Sequence, residues 1–248
     1  MSTGEVVLAG VAGYLWGSVP SAYLLVRAFK GIDLRRHGSG NIGISNAAQA
    51  AGASVVAPLV VYDAFIKGWL PVFLASGVVW DLGVTAQVAI AVGVVAGHNW
   101  PLYLRFHGGR GVTPSLGALL ALNWPLLVAI GAVAGSISAA TRNTPVAWLV
   151  ATLALPVFAA IGLALPAGSV FRTSAGLVVF AIVYLFLMLL RRVQGSWPGE
   201  QPPRPAGLSR GRVLLNRLLL DRDTADRDEW LRRGSRTGDG PEDRLSPT

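Results

Sequence analysis

Apolar residues in this chain run in long unbroken blocks, without the strict alternation of a half-buried strand or the half-apolar rhythm of a soluble helix. The blocks fall at roughly 4–26, 53–76, 83–100, 112–140, 145–165 and 171–190. Most approach the ~20 residues that carry a helix across a hydrocarbon core of about 30 Å. Backbone polar groups find no water there, so each block is predicted to be helical. The fourth block is longer than one span and is interrupted by Asn123, Trp124 and Pro125, which fits one tilted helix or two short ones. The first block is predicted to be one retained helix over 6–26, because residues 1–5 carry none of the basic residues of a cleavable signal.

Charge sets the direction of threading. Arg27, Lys30, Arg35 and Arg36 fill the first connection, Arg105 and Arg110 the third, and Arg191 and Arg192 open the tail. Positive loops stay on the cytoplasmic side, which puts the N-terminus outside. Six spans would contradict one of these placements. Seven satisfy them all, with Asn123 to Pro125 outside, Arg142 inside and Arg172 as the one outer exception. The expected fold class is an all-α integral membrane protein of about seven transmembrane helices, N-terminus outside and C-terminus cytoplasmic. Residues 1–192 form the expected membrane domain, and 193–248 an Arg/Pro/Gly-rich cytoplasmic tail that is largely flexible. Within that tail, 195–207 reads as a linker, 212–226 as an amphipathic helix or a loosely structured segment, and 233–248 as disordered.

Composition narrows the chemistry. With 52% hydrophobic and 14% charged residues the chain lies outside the soluble globular class. The net charge of +8 then reports cytoplasmic loops, and no interleaved basic and aromatic patch points to nucleic acid. The absence of cysteine excludes disulfides, thiolate metal sites and a cysteine nucleophile. His37, His98 and His107 are too scattered to argue for a metal. No cofactor is implied.

Two polar loops remain. Residues 38–46 read GSGNIGISN. Gly38, Gly40 and Gly43 permit positive φ and let backbone N–H groups converge, while Ser39, Asn41, Ser45 and Asn46 add short hydrogen-bonding arms. Arg35, Arg36 and His37 place positive charge beside them, so a phosphate-bearing ligand is the expected guest. The second loop, GHNWPLYLRFHGGRG over 97–111, surrounds Arg110 with Gly108, Gly109 and Gly111 and holds His98, a candidate acid/base or phosphate donor. Asp63 and Lys67 lie four apart in the second block and share one helix face. Ionisable groups inside a span are paired or line a polar cavity.

These residues resemble the PlsY family, membrane glycerol-3-phosphate acyltransferases that use acyl phosphate. The resemblance covers about residues 17–192. It is carried by GSVPSAYLLVR at 17–27, DLRRHGSGNIGISN at 33–46, DAFIKGWLPV at 63–72 and GHNWPLYLRFHGGRGV at 97–112. It implies a seven-helix enzyme of the cell membrane whose three cytoplasmic motifs gather two phosphates at the inner leaflet. The implied reaction moves a fatty acyl chain from acyl phosphate to the 1-hydroxyl of glycerol 3-phosphate, giving lysophosphatidic acid and phosphate.

Carried over by position, Ser39, Gly40, Asn41, Ser45 and Asn46 belong to the first motif, with Arg35 or Arg36 adding charge. Lys67 and His98 match positions lining the family's site. Arg110 stands where lysine is usual in a GGKG loop, and Ser45 where threonine is usual. Thr141 and Arg142 resemble a short segment whose later serine is Pro145 here. The third motif departs furthest. Its nearest match, RGRVLLNRLLLDRD at 210–223, follows an inserted linker and places Leu214 at the asparagine position, with Asn216 two residues late and Arg217 in register. No serine sits in a nucleophile elbow, so transfer is expected without a covalent enzyme intermediate, Arg110 and Lys67 stabilising negative charge and His98 or a substrate phosphate taking the proton. Two other readings stay open on these residues: a relative that binds a phosphorylated lipid or metabolite without acyl transfer, and a small transporter.

Overall fold

The computed structural model describes residues 1–37, 39–195 and 207–226. Gly38, most of the 195–207 linker and the 233–248 end lie outside the described residues. All regular structure among the described residues is helical.

The first apolar block is not one helix. Helix α1 (Thr3–Gly17) opens with a reciprocal cap, Ser2 to the Glu5 backbone and Glu5 back to Ser2. It stops where Ser18 returns its hydroxyl to the Tyr14 carbonyl at 2.7 Å and Pro20 removes a backbone donor. Helix α2 (Ser21–Lys30) follows and ends at Gly31 with φ 69. The prediction of a single helix over 6–26 overlooked that Pro20 disfavours helix at the residue before it. Helix α3 (Ile44–Ala51) leads into the second block, built of α4 (Val56–Val61), a π-helical stretch (Tyr62–Trp69) and α5 (Leu70–Leu74).

The remaining helices are α6 (Gly83–Asn99), α7 (Val112–Leu122), α8 (Trp124–Thr141), α9 (Thr144–Ala164), α10 (Ala175–Gln194) and α11 (Arg210–Leu220). The predicted corner stands between α7 and α8. There the Asn123 carboxamide accepts from Leu126 N at 2.9 Å to cap α8 and donates to the Arg172 carbonyl at 3.0 Å. Among the described residues five segments are long and apolar enough to cross a membrane: Thr3–Lys30, Ala53–Leu74, Trp124–Thr141, Thr144–Ala164 and Ala175–Gln194. Helix α6, with 17 residues, and α7, with 11, are shorter.

Helix association in lipid has no hydrophobic drive and relies on close contact. Helices α1 and α6 meet backbone to backbone: a Cβ on Gly17 would lie 2.2 Å from the Val94 carbonyl oxygen, and one on Gly97 2.1 Å from that of Tyr14. The larger apolar cluster joins Val94, Leu119, Leu155, Phe180 and Met188, and a smaller one under the first polar loop joins Val26, Leu34, Ile42 and Leu59. Polar loops gather at one end of the bundle, opposite the Asn123–Arg172 contact. Helix α11 docks at that polar end. Ser209 caps its start, Val213 and Asn216 are buried, and Arg192 donates to the Leu218 carbonyl at 2.7 Å. Of the stretch 212–226, residues up to Leu220 are helical and pack on protein, and 221–226 continue without regular structure.

Candidate functional site

The first loop is built around Asn46. Its Nδ2 lies 3.1, 3.0 and 2.9 Å from the carbonyl oxygens of Leu34, His37 and Asn41, and its Oδ1 accepts from Ser39 N at 3.2 Å. A carboxamide has two N–H groups, so three acceptors share them and none is left for a ligand. Asn46 therefore shapes the loop, where the sequence expected a ligand contact. Gly40 takes the left-handed conformation, φ 65, as expected, whereas Gly43 is extended at φ −123. Arg35 turns back onto Asp33, at 3.0 and 2.7 Å, and lies over the Tyr23 ring. Burial resists ionisation of Asp33, but the side-chain and backbone bonds from Arg35 outweigh it and hold the carboxyl below its ordinary range, while the side-chain bond to Asp33 raises Arg35 against its own partial burial. Arg36 is exposed. Neither arginine lines the two larger cavities between the polar segments, the local turn taking up Arg35.

The second loop leaves α6 at His98 and returns into α7. Its glycines serve contact more than conformation. A Cβ on Gly109 would lie 2.2 Å from His98 Nε2, and one on Gly108 would lie 2.2 Å from the His98 carbonyl oxygen. Only Gly111 among the three has positive φ, at 70. Buried Arg191 donates to the Gly108 carbonyl at 2.9 Å, tying this loop to the end of α10.

Two adjoining cavities open beside the first loop, one of about 220 Å³ reaching the second loop and one of about 460 Å³ reaching residues 141–145 and the end of α11. Asn41, Ser45, Thr144, Pro145 and Asp221 belong to both walls. His98, Arg110, Gly111 and Arg192 line the smaller, while Ser39, Asn46 and Arg142 line the larger. His98 also lines a third, small space of about 10 Å³ with Lys67, Gly108 and Gly109. Lys67 is thus one pocket removed from Arg110. Its ammonium is 2.9 Å from Asp63 Oδ1 and 3.2 Å from Ser21 Oγ, and Ser21 donates to the same carboxylate at 2.6 Å.

Helix α11 completes the wall. Asn216 turns inward and donates to the Asp223 carbonyl at 3.1 Å, Arg217 pairs with the Asp223 carboxylate, and Leu214 faces outward. Asp221 accepts from Arg110 Nε at 2.6 Å. Sequence reasoning singled out neither Asp221 nor Ser21. Both lay inside quoted motifs, Ser21 in 17–27 and Asp221 in 210–223 beyond an apparent linker, with no local mark of their contacts.

The glycerol-3-phosphate acyltransferase family model matches residues 7–195, across both loops and the helices that carry them. The chain belongs to this family. A glycerol-3-phosphate acyltransferase 5 of Dehalococcoides mccartyi is 34% identical over 237 residues, covering 92% of this chain and 94% of the relative. A glycerol-3-phosphate acyltransferase of Myxococcus xanthus reaches 46% over 110 residues, or 44% of this chain and 56% of the relative. Crystal structures of PlsY, an integral membrane glycerol 3-phosphate acyltransferase, match as well. The glycerol 3-phosphate form has a TM-score of 0.66 at 26% identity, over 77% of this chain and 90% of that one, and the lysophosphatidic acid form has 0.65 at 25% identity. Like that relative, this acyltransferase-family chain is a multi-pass membrane protein.

Proposed function

We propose that this protein transfers a fatty acyl group from acyl phosphate to the 1-hydroxyl of sn-glycerol 3-phosphate, an entry step of phospholipid synthesis. The family membership and the two ligand forms of the solved relative support the acceptor and the product. The acyl phosphate donor rests on the motif resemblance. The single observation that carries the reading is the pair of adjoining polar cavities, walled by residues of both glycine-containing loops and of α11. Two cavities with a shared wall suit two phosphorylated substrates held side by side.

In the reaction the glycerol hydroxyl oxygen forms the new ester bond to the acyl carbon, the bond from that carbon to the phosphate oxygen breaks, and the hydroxyl proton ends on phosphate. Alignment of the two reactants supplies up to about 7–11 kcal/mol of the barrier reduction. Arg110, Gly108, Gly109 and Gly111 are assigned to one phosphate and its developing charge, and Ser39, Gly40, Asn41, Ser45 and Arg142 to the other. His98, lining the smaller cavity, takes the proton directly or leaves it to a phosphate oxygen. Lys67, neutralised by Asp63, supports His98 from behind.

The same reading takes the bundle as seven spans, N-terminus outside, in the cell membrane. The arginines of the first, third and tail connections lie at the polar end, which supports a cytoplasmic active face. Residues 1–192 act as the membrane domain and the tail contributes α11.

The test is transfer of radiolabelled acyl groups to glycerol 3-phosphate by the purified protein in lipid, with acyl phosphate and acyl-CoA as alternative donors. Turnover with acyl phosphate, lost in Ser39→Ala and Arg110→Ala, is expected. A folded protein inert with acyl phosphate sinks the reading.

A further inference from the structure

The bond between Arg110 and Asp221 joins residues 111 positions apart and has no part in the reading above. Asp221 ends α11 in the left-handed conformation, φ 57, which aspartate, asparagine and glycine adopt at least cost. Its Oδ1 is 2.6 Å from Arg110 Nε, with the two side chains 19% and 9% exposed. The end of α11 is held from a second side as well. Buried Arg192 donates from Nη1 to the Leu218 carbonyl at 2.7 Å and from Nη2 to the Pro145 carbonyl at 2.7 Å. The helix end is therefore pinned between two guanidinium groups. Among the described residues Asp221 is the one carboxylate lining the larger cavity, and in the smaller the other, Asp63, is engaged by Lys67 and Ser21.

We propose that Asp221 is a positioning residue for acyl transfer: by accepting from Nε it sets the plane in which the Arg110 guanidinium faces the smaller cavity, making α11 a working part of the site. This rests on the acyltransferase reading. A guanidinium presents donors along flat edges, and a carboxylate on one edge fixes the direction of the others. An ammonium has no such plane, so the device is specific to arginine at position 110. A carboxylate that only competed with substrate for Arg110 would instead weaken phosphate binding.

The experiment uses the full chain in lipid. Asp221→Asn keeps the shape and tolerates the backbone conformation while removing the charge. The expected result is a fall in kcat of about tenfold, the scale of a misaligned group, with KM for both substrates within about twofold and the thermal midpoint in detergent unchanged. In an Arg110→Lys background the same change is expected to add little, a non-additive cycle. Unchanged kcat, a lowered KM with kcat kept, or equal losses in both backgrounds would overturn the proposal. A second measurement is independent of turnover: the Nε–H signal of Arg110, identified by its loss in Arg110→Lys, is expected to exchange slowly with solvent and to speed up in Asp221→Asn. Fast exchange in the wild type, or no change in the variant, also overturns it. Absence of wild-type turnover counts against the acyltransferase reading, and the exchange result then decides the pair by itself.

Discussion

Lys67 Nζ and Asp63 Oδ1 lie 2.9 Å apart on one π-helical stretch, each side chain only 2% exposed. Ser21, at the start of α2, bridges them, so the pair also anchors the second half of the broken first block to the second. Removing one member of such a pair strands the other charge without a partner, which costs about 3–5 kcal/mol. Asp63→Asn is expected to lower the thermal midpoint in detergent sharply, and Asp63→Asn with Lys67→Met to recover most of it. A single variant as stable as wild type would contradict the pairing.

Helix α7 reaches the π-helical stretch through glycine. A Cβ on Gly117 would lie 1.8 Å from the Ala64 carbonyl oxygen, and one on Gly68 2.2 Å from that of Pro114. Gly117→Ala is therefore expected to force the two segments apart and to abolish folded yield in size-exclusion chromatography. Gly131→Ala and Gly135→Ala, where nothing lies within 4 Å, serve as controls and are expected to be neutral or up to about 1 kcal/mol stabilising, from helix propensity alone. Equal behaviour of the three variants would refute the close approach.

Asn46 organises the first loop by donating, so its isosteric and its truncating substitution fail for the same reason. Both Asn46→Asp and Asn46→Ala are expected to cost about 100-fold or more in acyl transfer, since the carbonyls of Leu34, His37 and Asn41 lose their donor in each. The aspartate adds repulsion from three carbonyl oxygens and is expected to be the worse of the two. Retained activity in Asn46→Asp would mean that the loop is held by other groups.

The Asp33–Arg35 pair sets an acid limit on the same loop. The folded-state pKa of Asp33 is depressed below the unfolded value near 3.8, so its stabilisation is complete above that value and is lost as pH falls through the lower folded one. The gap in thermal midpoint between wild type and Asp33→Asn is expected to be constant from about pH 7 to pH 5 and to close below about pH 4. A gap that closed near neutrality would assign the effect to another group.

The sequence by itself determined what depends on neighbouring residues. Apolar block length set the spans, Asn123 and Pro125 set the corner, and the glycine and serine runs marked the polar loops, because water, lipid and backbone sterics act on a few consecutive residues at a time. Pro20 belonged to the same local class and was passed over. Tertiary structure decided the pairings. Asn46 became the hub of its loop because three carbonyls converge on it, and Asp221 met Arg110 from 111 residues further along the chain. A buried polar group must find a partner wherever packing brings one, and distance along the chain carries no information about which partner that is.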